Sequence, residues 1–168
     1  MIDQLIKLVQ QNADESIVRN NAIPNQFNNA AIEEVARQIF DGMQGQVNSG
    51  NMQQVASMFK GGDMGSLSNH PMVGQIVSNI AANFAAKFGV SPQTARTIAM
   101  SIIPSVMNRF VNKTNDPNDR DFDLQDMLRG FSGNNKLDLN EVLGGLAGSS
   151  SQGGGGLGNV LGNIIGGR

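Results

Sequence analysis

Between Asn69 and Lys113 the apolar residues recur twice over at a helical period, and the four-residue elbow Gly89-Val90-Ser91-Pro92 separates the two runs. Val73, Ile76, Val77, Ile80, Phe84 and Phe88 make the first stripe. Ala95, Ile98, Ala99, Ile102, Ile103, Val106, Met107 and Phe110 make the second. Asn69 is the expected N-cap of the first helix, with Pro71 pre-set for its first turn. Gly89 is the expected C′ residue, and Ser91 followed by Pro92 restarts a helix with Ser as cap and Pro at its first position. Pro104 is expected to kink the second helix or to split it after Ile103. So short an elbow between two such stripes makes an antiparallel helical hairpin the economical solution. The fold class is therefore all-α, a helical bundle built on that hairpin.

The residues before the hairpin supply helices to pack across it. Ile2, Leu5, Ile6 and Val9 fall at i, i+3, i+4 and i+7, which predicts a helix over 2–11. A short turn around Glu15 to Arg19 brings Ile17 and Val18 to the core before Pro24 biases Ile23 away from helical angles. From Phe27 the period resumes with Ala31, Ile32, Val35, Ile39 and Met43 on one stripe. Glu33, Glu34, Arg37 and Gln38 lie mostly opposite, so the Glu33-Glu34 pair reads as a solvated face. Gly42 and Gly45 weaken the end of this helix by up to about 1 kcal/mol each relative to Ala. A third helix uses Met52, Val55, Ala56 and Phe59, and the glycine-rich run Lys60 to Ser66 reads as a connection.

After Lys113 the chain turns polar, Thr114 to Asp121, with no apolar period, and a boundary is expected there. Beyond it lies an internal repeat at a spacing of fifteen, Phe122 to Phe131 against Leu137 to Leu146, in which an Asp caps a helix of about two turns. Helices that short are not stable alone and need a surface to lie on. Gly148 to Gly155 reads as a flexible linker, and Gly156 to Ile165 as a degenerate third copy. The expected organisation is a helical bundle over 1–113, two short repeat helices over 114–147 and a Gly-rich apolar tail over 148–168.

Composition narrows the function classes. Charged residues are 15% of the chain, against about 25% in an average soluble protein, while 20 Asn and 13 Gln make about a fifth of it. The polar faces are thus neutral amides more often than ions. Net charge is −2 with the twelve Lys and Arg scattered singly, so no phosphate-neutralising stripe exists and nucleic acid is not an expected partner. The absence of cysteine removes disulfides, thiolate chemistry and zinc–thiolate sites together. The amino end lacks the continuous apolar region of a secretory signal, and no window approaches the ~20 apolar residues that span a bilayer. A cytoplasmic location is expected.

The middle of the chain resembles a known family. Asn69-His70-Pro71-Met72-Val73, Lys87-Phe88-Gly89-Val90-Ser91, Ile103-Pro104-Ser105-Val106-Met107, Val111 to Asn118 and Phe122-Asp123-Leu124 are similar to the YidB-like family of small bacterial proteins of unknown function, in the form found in Bacteroidota. The glycine- and leucine-rich end after Gly144 resembles that family's ending. The resemblance implies an all-helical fold and a bacterial origin. It implies no activity and carries over no catalytic residue.

The parts for catalysis are missing. His70 is the single histidine, the residue most often used in acid–base work, and its place between a capping Asn and a proline gives it a capping or surface role. No P-loop or dinucleotide-binding glycine pattern follows a strand. No enzyme activity and no cofactor are expected. Ser132 to Glu141 resembles the later part of a calcium-binding EF-hand loop: with Glu141 at position twelve, Ser132 and Asn134 fall at three and five. Position one would be Gly130, which has no side-chain oxygen, and position six Asn135 instead of Gly. A turn with Asp138 as N-cap and Glu141 as its capping-box partner explains the same residues. The Asp116 to Asp126 cluster is a calcium candidate of no higher standing.

The tail carries a different signal. Gly158, Gly162 and Gly166 repeat at i+4 while Leu157, Val160, Leu161, Ile164 and Ile165 are apolar. In helical form the glycines line a groove that admits another helix closely, at a cost of roughly 2–3 kcal/mol in helix propensity. The function expected is that of a non-enzymatic, self-associating interaction or scaffold protein whose partner is a second copy or another protein. The alternative is a peripheral membrane or lipid-associated protein acting through the same tail, with a calcium-responsive module behind it.

Overall fold

The computed structural model describes residues 1–61 and 64–133, all within one compact unit, and among them there are helices and turns but no strand. Helix α1, Ile2–Asn12, points Leu5, Leu8 and Val9 inward and leaves Ile2 and Ile6 half-buried. One π-helical turn, Asp14–Val18, follows it. That turn buries Ile17 but leaves Val18 39% exposed, because consecutive residues on a helical turn point in different directions. After Pro24 a 3₁₀ turn, Asn25–Phe27, leads into α2, Asn28–Asn48. The expected stripe Ala31, Ile32, Val35, Ile39 and Met43 is buried and continues to Val47.

Helix α3, Met52–Gly61, buries Met52, Val55, Ala56 and Phe59 as its period predicts. The glycine-rich run that follows is more than a connection: it holds a further short helix, α4, Met64–Ser68, which packs on the hairpin with Leu67 buried. Gly62 and Asp63 lie outside the described residues.

The hairpin consists of α5, Pro71–Phe88, and α6, Pro92–Thr114, packed against each other. Gly89 closes α5 in the left-handed conformation at φ 67°, and Ser91 caps α6 by accepting from the Thr94 amide at 3.1 Å. The N-cap of α5 is His70, not Asn69: its Nδ1 accepts from the Met72 amide at 3.3 Å. Pro71 holds the residue before it extended (φ −70°, ψ 130°), so the last non-helical residue falls directly before the proline. Asn69 instead donates to the Gly65 carbonyl of α4 at 2.9 Å. Pro104 does not split α6, which runs unbroken to Thr114. Pro104 is half-buried and Met100, whose carbonyl it leaves without an i+4 donor, is exposed. The missing bond therefore falls on the outer side of the helix, where water can replace it.

A 3₁₀ turn, Arg120–Phe122, and helix α7, Leu124–Ser132, complete the described chain. Asp123 caps α7 as expected, accepting from the Gln125 and Asp126 amides at 2.8 and 3.2 Å. The boundary expected after Lys113 is corrected here. Helix α7 packs on α2 and α3, and its Leu128 and Phe131 are fully buried, because a two-turn amphipathic helix is held by the apolar surface it covers. The second repeat copy lies outside the described residues.

Helix α2 is the hub, lying against α1, α3, α5 and α7. All eight phenylalanines take part in ring contacts, and apart from Phe84 with Phe88 inside α5 these join different segments of the chain. Phe110 of α6 meets Phe59 of α3 and Phe122 edge-to-face, at centroid distances of 5.2 and 5.7 Å. Phe40 of α2 meets Phe131 of α7 at 5.4 Å. Asn115 joins the ends of two helices, donating from Nδ2 to the Phe59 carbonyl at 2.6 Å and to the Val111 carbonyl at 2.9 Å.

The two glycines of α2 differ in a way helix propensity does not show. A Cβ on Gly42 would sit 2.7 Å from Ile76 Cγ1 and 3.1 Å from its Cδ1, whereas one on Gly45 meets nothing within 4 Å. Gly42 is the crossing point of α2 and α5, and the β-branched Ile76 has little rotamer freedom with which to retreat. Gly45→Ala should therefore stabilise the protein by up to about 1 kcal/mol, while Gly42→Ala should destabilise it by about 1–3 kcal/mol. Urea unfolding of the two variants checks this, and equal signs would refute the close approach.

Candidate interaction surface

Several polar side chains of the described residues cap helices or tie one helix to another. His70 is committed through Nδ1 to its cap. Glu33 is exposed as expected, but Glu34 is not on a solvated face: it is 6% exposed. Its Oε2 accepts from Lys87 Nζ of α5 at 2.6 Å and its Oε1 accepts from Gln38 Nε2 at 3.0 Å. A carboxylate so enclosed has exchanged water for one cation and one amide, an arrangement that holds α2 to the end of α5.

The acidic loop is equally committed. Asp116 Oδ1 accepts from the Asn118 amide and side chain, Asp123 caps α7, and Asp126 lies 3.8 Å from Arg129. Asp119 accepts from Lys113 Nζ at 2.7 Å and from the Asp121 amide at 3.2 Å, and Lys113 in turn lies over the Phe122 ring at 5.3 Å. The Lys113 hydrogen bond, aided by that cation's charge and the Asp121 amide against an opposing effect of desolvation, holds the Asp119 carboxyl below the usual aspartate range. A carboxylate with a lowered folded-state pKa contributes stability that is fully present above its unfolded value and is lost as pH falls through the lowered one. The melting-temperature difference between Asp119→Asn and the native chain should thus be present at neutral pH and shrink in acid. A pH-independent gap would remove this account.

Among the described residues no group of three or more His, Asp or Glu is placed to hold a metal ion. Of the calcium candidates, Ser132 is buried and its hydroxyl donates to the Arg129 carbonyl at 2.9 Å, a local helix-end bond. Asn134 and Glu141 lie outside the described residues. So do Leu157, Gly158, Val160, Leu161, Gly162, Ile164, Ile165 and Gly166 of the tail.

What the bundle does present is a furrow between α5 and α6 on the outer face of the hairpin. It comprises two hollows of about 300 and 260 Å³ that share Ser78 and Arg96 in their walls. The α5 wall is low, made of Gly74, Ser78, Ala81, Ala82 and Ala85 above Val77. The α6 wall carries Pro92, Arg96, Met100 and Pro104, and Ser68 of α4 stands at one end. Met100 is 58% exposed, the most exposed large hydrophobic residue described. Arg96 is the single charged residue in the lining.

This surface has a signal in the sequence that a search for core stripes passes over. Gly74, Ser78 and Ala82 recur at i+4 on the side of α5 away from the core, and α5 carries no charge before Lys87. A surface helix normally sets charged residues opposite its apolar stripe; here small residues and amides stand there instead. A third hollow, about 270 Å³, lies between the π-turn and α6 and is polar, with Ser16 and Ser101 sharing a 3.0 Å hydrogen bond in its wall.

No helix among the described residues is long and apolar enough to cross a membrane. No curated protein and no solved structure matches the chain. A family model for bacterial proteins of unknown function matches residues 69–168, so that it begins at α5 and takes in both walls of the furrow, α7 and the tail, while α1 to α4 fall outside it. On that match the chain belongs to this bacterial family of unknown function (DUF937), the YidB-like family that its hairpin sequence resembles.

Proposed function

We propose that this protein is a non-enzymatic, self-associating interaction protein in which the hairpin bundle is the rigid body and the segment after Gly148 is the assembling element. One observation carries the reading. Val18 and Met100 are the large hydrophobics left exposed among the described residues, so the core of the bundle is closed by the residues described. Yet five aliphatic residues, Leu157, Val160, Leu161, Ile164 and Ile165, stand in a run that has no charge from Gly148 to Gly167. An apolar segment marks an interaction site where it stands exposed. The engagement of His70 as a cap and of the acidic loop in turns supports a role without catalysis.

Light scattering on the full chain and on a truncation ending at Ala147 tests this. The full chain should assemble with rising concentration and the truncation should stay monomeric, while both melt at similar temperatures. Two monomeric species at high concentration would end the self-association reading. Flotation of the full chain with lipid vesicles, lost on truncation, would transfer the assembling role to a membrane surface.

A further inference from the structure

We propose that the furrow between α5 and α6 is the seat for the tail segment Leu157 to Ile165 of a second copy of the chain, exchanged reciprocally so that two copies close as a dimer; this rests on the self-association reading above. Gly74, Ser78 and Ala82 keep the α5 wall low at every fourth residue, and a Cβ added to Gly74 meets nothing within 4 Å, so the space above it is open. The tail repeats Gly158, Gly162 and Gly166 at the same interval. Two helices with small residues at i+4 approach closely, and ridges at that interval fit grooves at that interval.

Polarity agrees with shape. Docking a charged helix into this lining would strand ions, but the run from Gly148 to Gly167 has none, and in the furrow Arg96 is the single charged residue. Leu157, Leu161, Ile164 and Ile165 would cover Val77, Met100 and Pro104, removing from water the most exposed large hydrophobic described. Pro104 has no amide hydrogen, so the Met100 carbonyl of α6 cannot receive its i+4 bond, and both residues line the furrow. The tail brings amide donors of its own in Asn159 and Asn163, four residues apart in sequence.

Length agrees as well. Residues 134–156 number 23, a length of chain that spans at most about 75 Å, or about 60 Å with Leu137 to Leu146 in the helical form expected of it, against a radius of gyration of about 14 Å for a domain of the bundle's size. A neighbouring copy's furrow is within reach. Reciprocal exchange fills both seats of a pair, and a self-complementary contact of that kind closes at two copies without leaving a free seat.

Because the chain has no cysteine, single-cysteine variants of the full chain give a clean test. A mixture of Met100→Cys and Leu161→Cys copies should form a disulfide-linked heterodimer under mild oxidation, well above a mixture of Lys7→Cys and Leu161→Cys. Lys7 is exposed on α1 and lines neither hollow of the furrow. Ala82→Trp, at an exposed position of α5, should fill the furrow and raise the dimer dissociation constant about tenfold or more, with helical content and melting temperature unchanged. Met100→Glu is the second variant and should act in the same direction. If the full chain assembles and truncation at Ala147 abolishes assembly, but neither furrow variant weakens it and no Met100–Leu161 link is enriched, the seat is wrong and the self-association reading stands. A link formed within one chain carrying both cysteines, in place of the one between copies, would overturn reciprocal exchange. A full chain that stays monomeric removes both proposals.

Discussion

Replacing Phe110 by Ala is expected to cost about 3–5 kcal/mol of stability and to lower the melting temperature by about 10 °C or more. The ring is 1% exposed and packs edge-to-face against Phe59 and Phe122, so it holds α3 and the 3₁₀ turn before α7 to the middle of the bundle. Its removal leaves a cavity between three segments whose backbones are fixed by other contacts, and partial collapse recovers little of the loss. Out of a total of about 5–15 kcal/mol for a typical domain, that is a large share. Phe88→Ala is the control: its ring is only half-buried, and the loss should be clearly smaller. Far-UV circular dichroism in urea is the suitable probe, since the chain has neither Trp nor Tyr. Equal losses for the two variants would show that the Phe59–Phe110–Phe122 cluster does not anchor these segments.

The second large effect lies at Glu34. With Lys87→Met the carboxylate, 6% exposed, keeps only the Gln38 amide as partner. Breaking a fully buried pair costs about 3–5 kcal/mol; because the Lys87 side chain is 53% exposed and water can reach its place, about 2–3 kcal/mol is expected. The double variant Glu34→Met, Lys87→Met should return to within about 1 kcal/mol of the native chain, since the cost belongs to a stranded charge and not to the loss of an attraction. A double variant as unstable as Lys87→Met alone would contradict that reasoning.

Glu34 also shows where sequence reasoning stops. On α2 it falls next to the apolar stripe and beside Glu33, so periodicity alone assigns it to the solvated side. Its burial depends on Lys87, 53 residues later, whose long side chain brings a cation to it from the end of another helix. Gly42 is a similar case. Taken singly it is a helix-weakening residue, and only the passage of Ile76 over it makes the absent Cβ a requirement.

What the sequence by itself determined was local and periodic. The two stripes of the hairpin, the left-handed Gly89, the Ser91-Pro92 restart and the Asp123 cap all follow from rules that operate within a turn or two of chain. Where two caps competed, Asn69 and His70, the restriction that Pro71 places on its predecessor decided, again locally. Tertiary structure decided what depends on residues distant in sequence. It drew α7 onto α2 and α3, though the repeat in the sequence showed only that such a helix needs some surface. It also set the uncharged face of α5 beside Met100 and Pro104, joining two unremarkable helix exteriors into one furrow. Periodicity reports which side of a helix faces inward, whereas a surface site is made by the outward sides of two helices, and their juxtaposition is fixed only when the core between them closes.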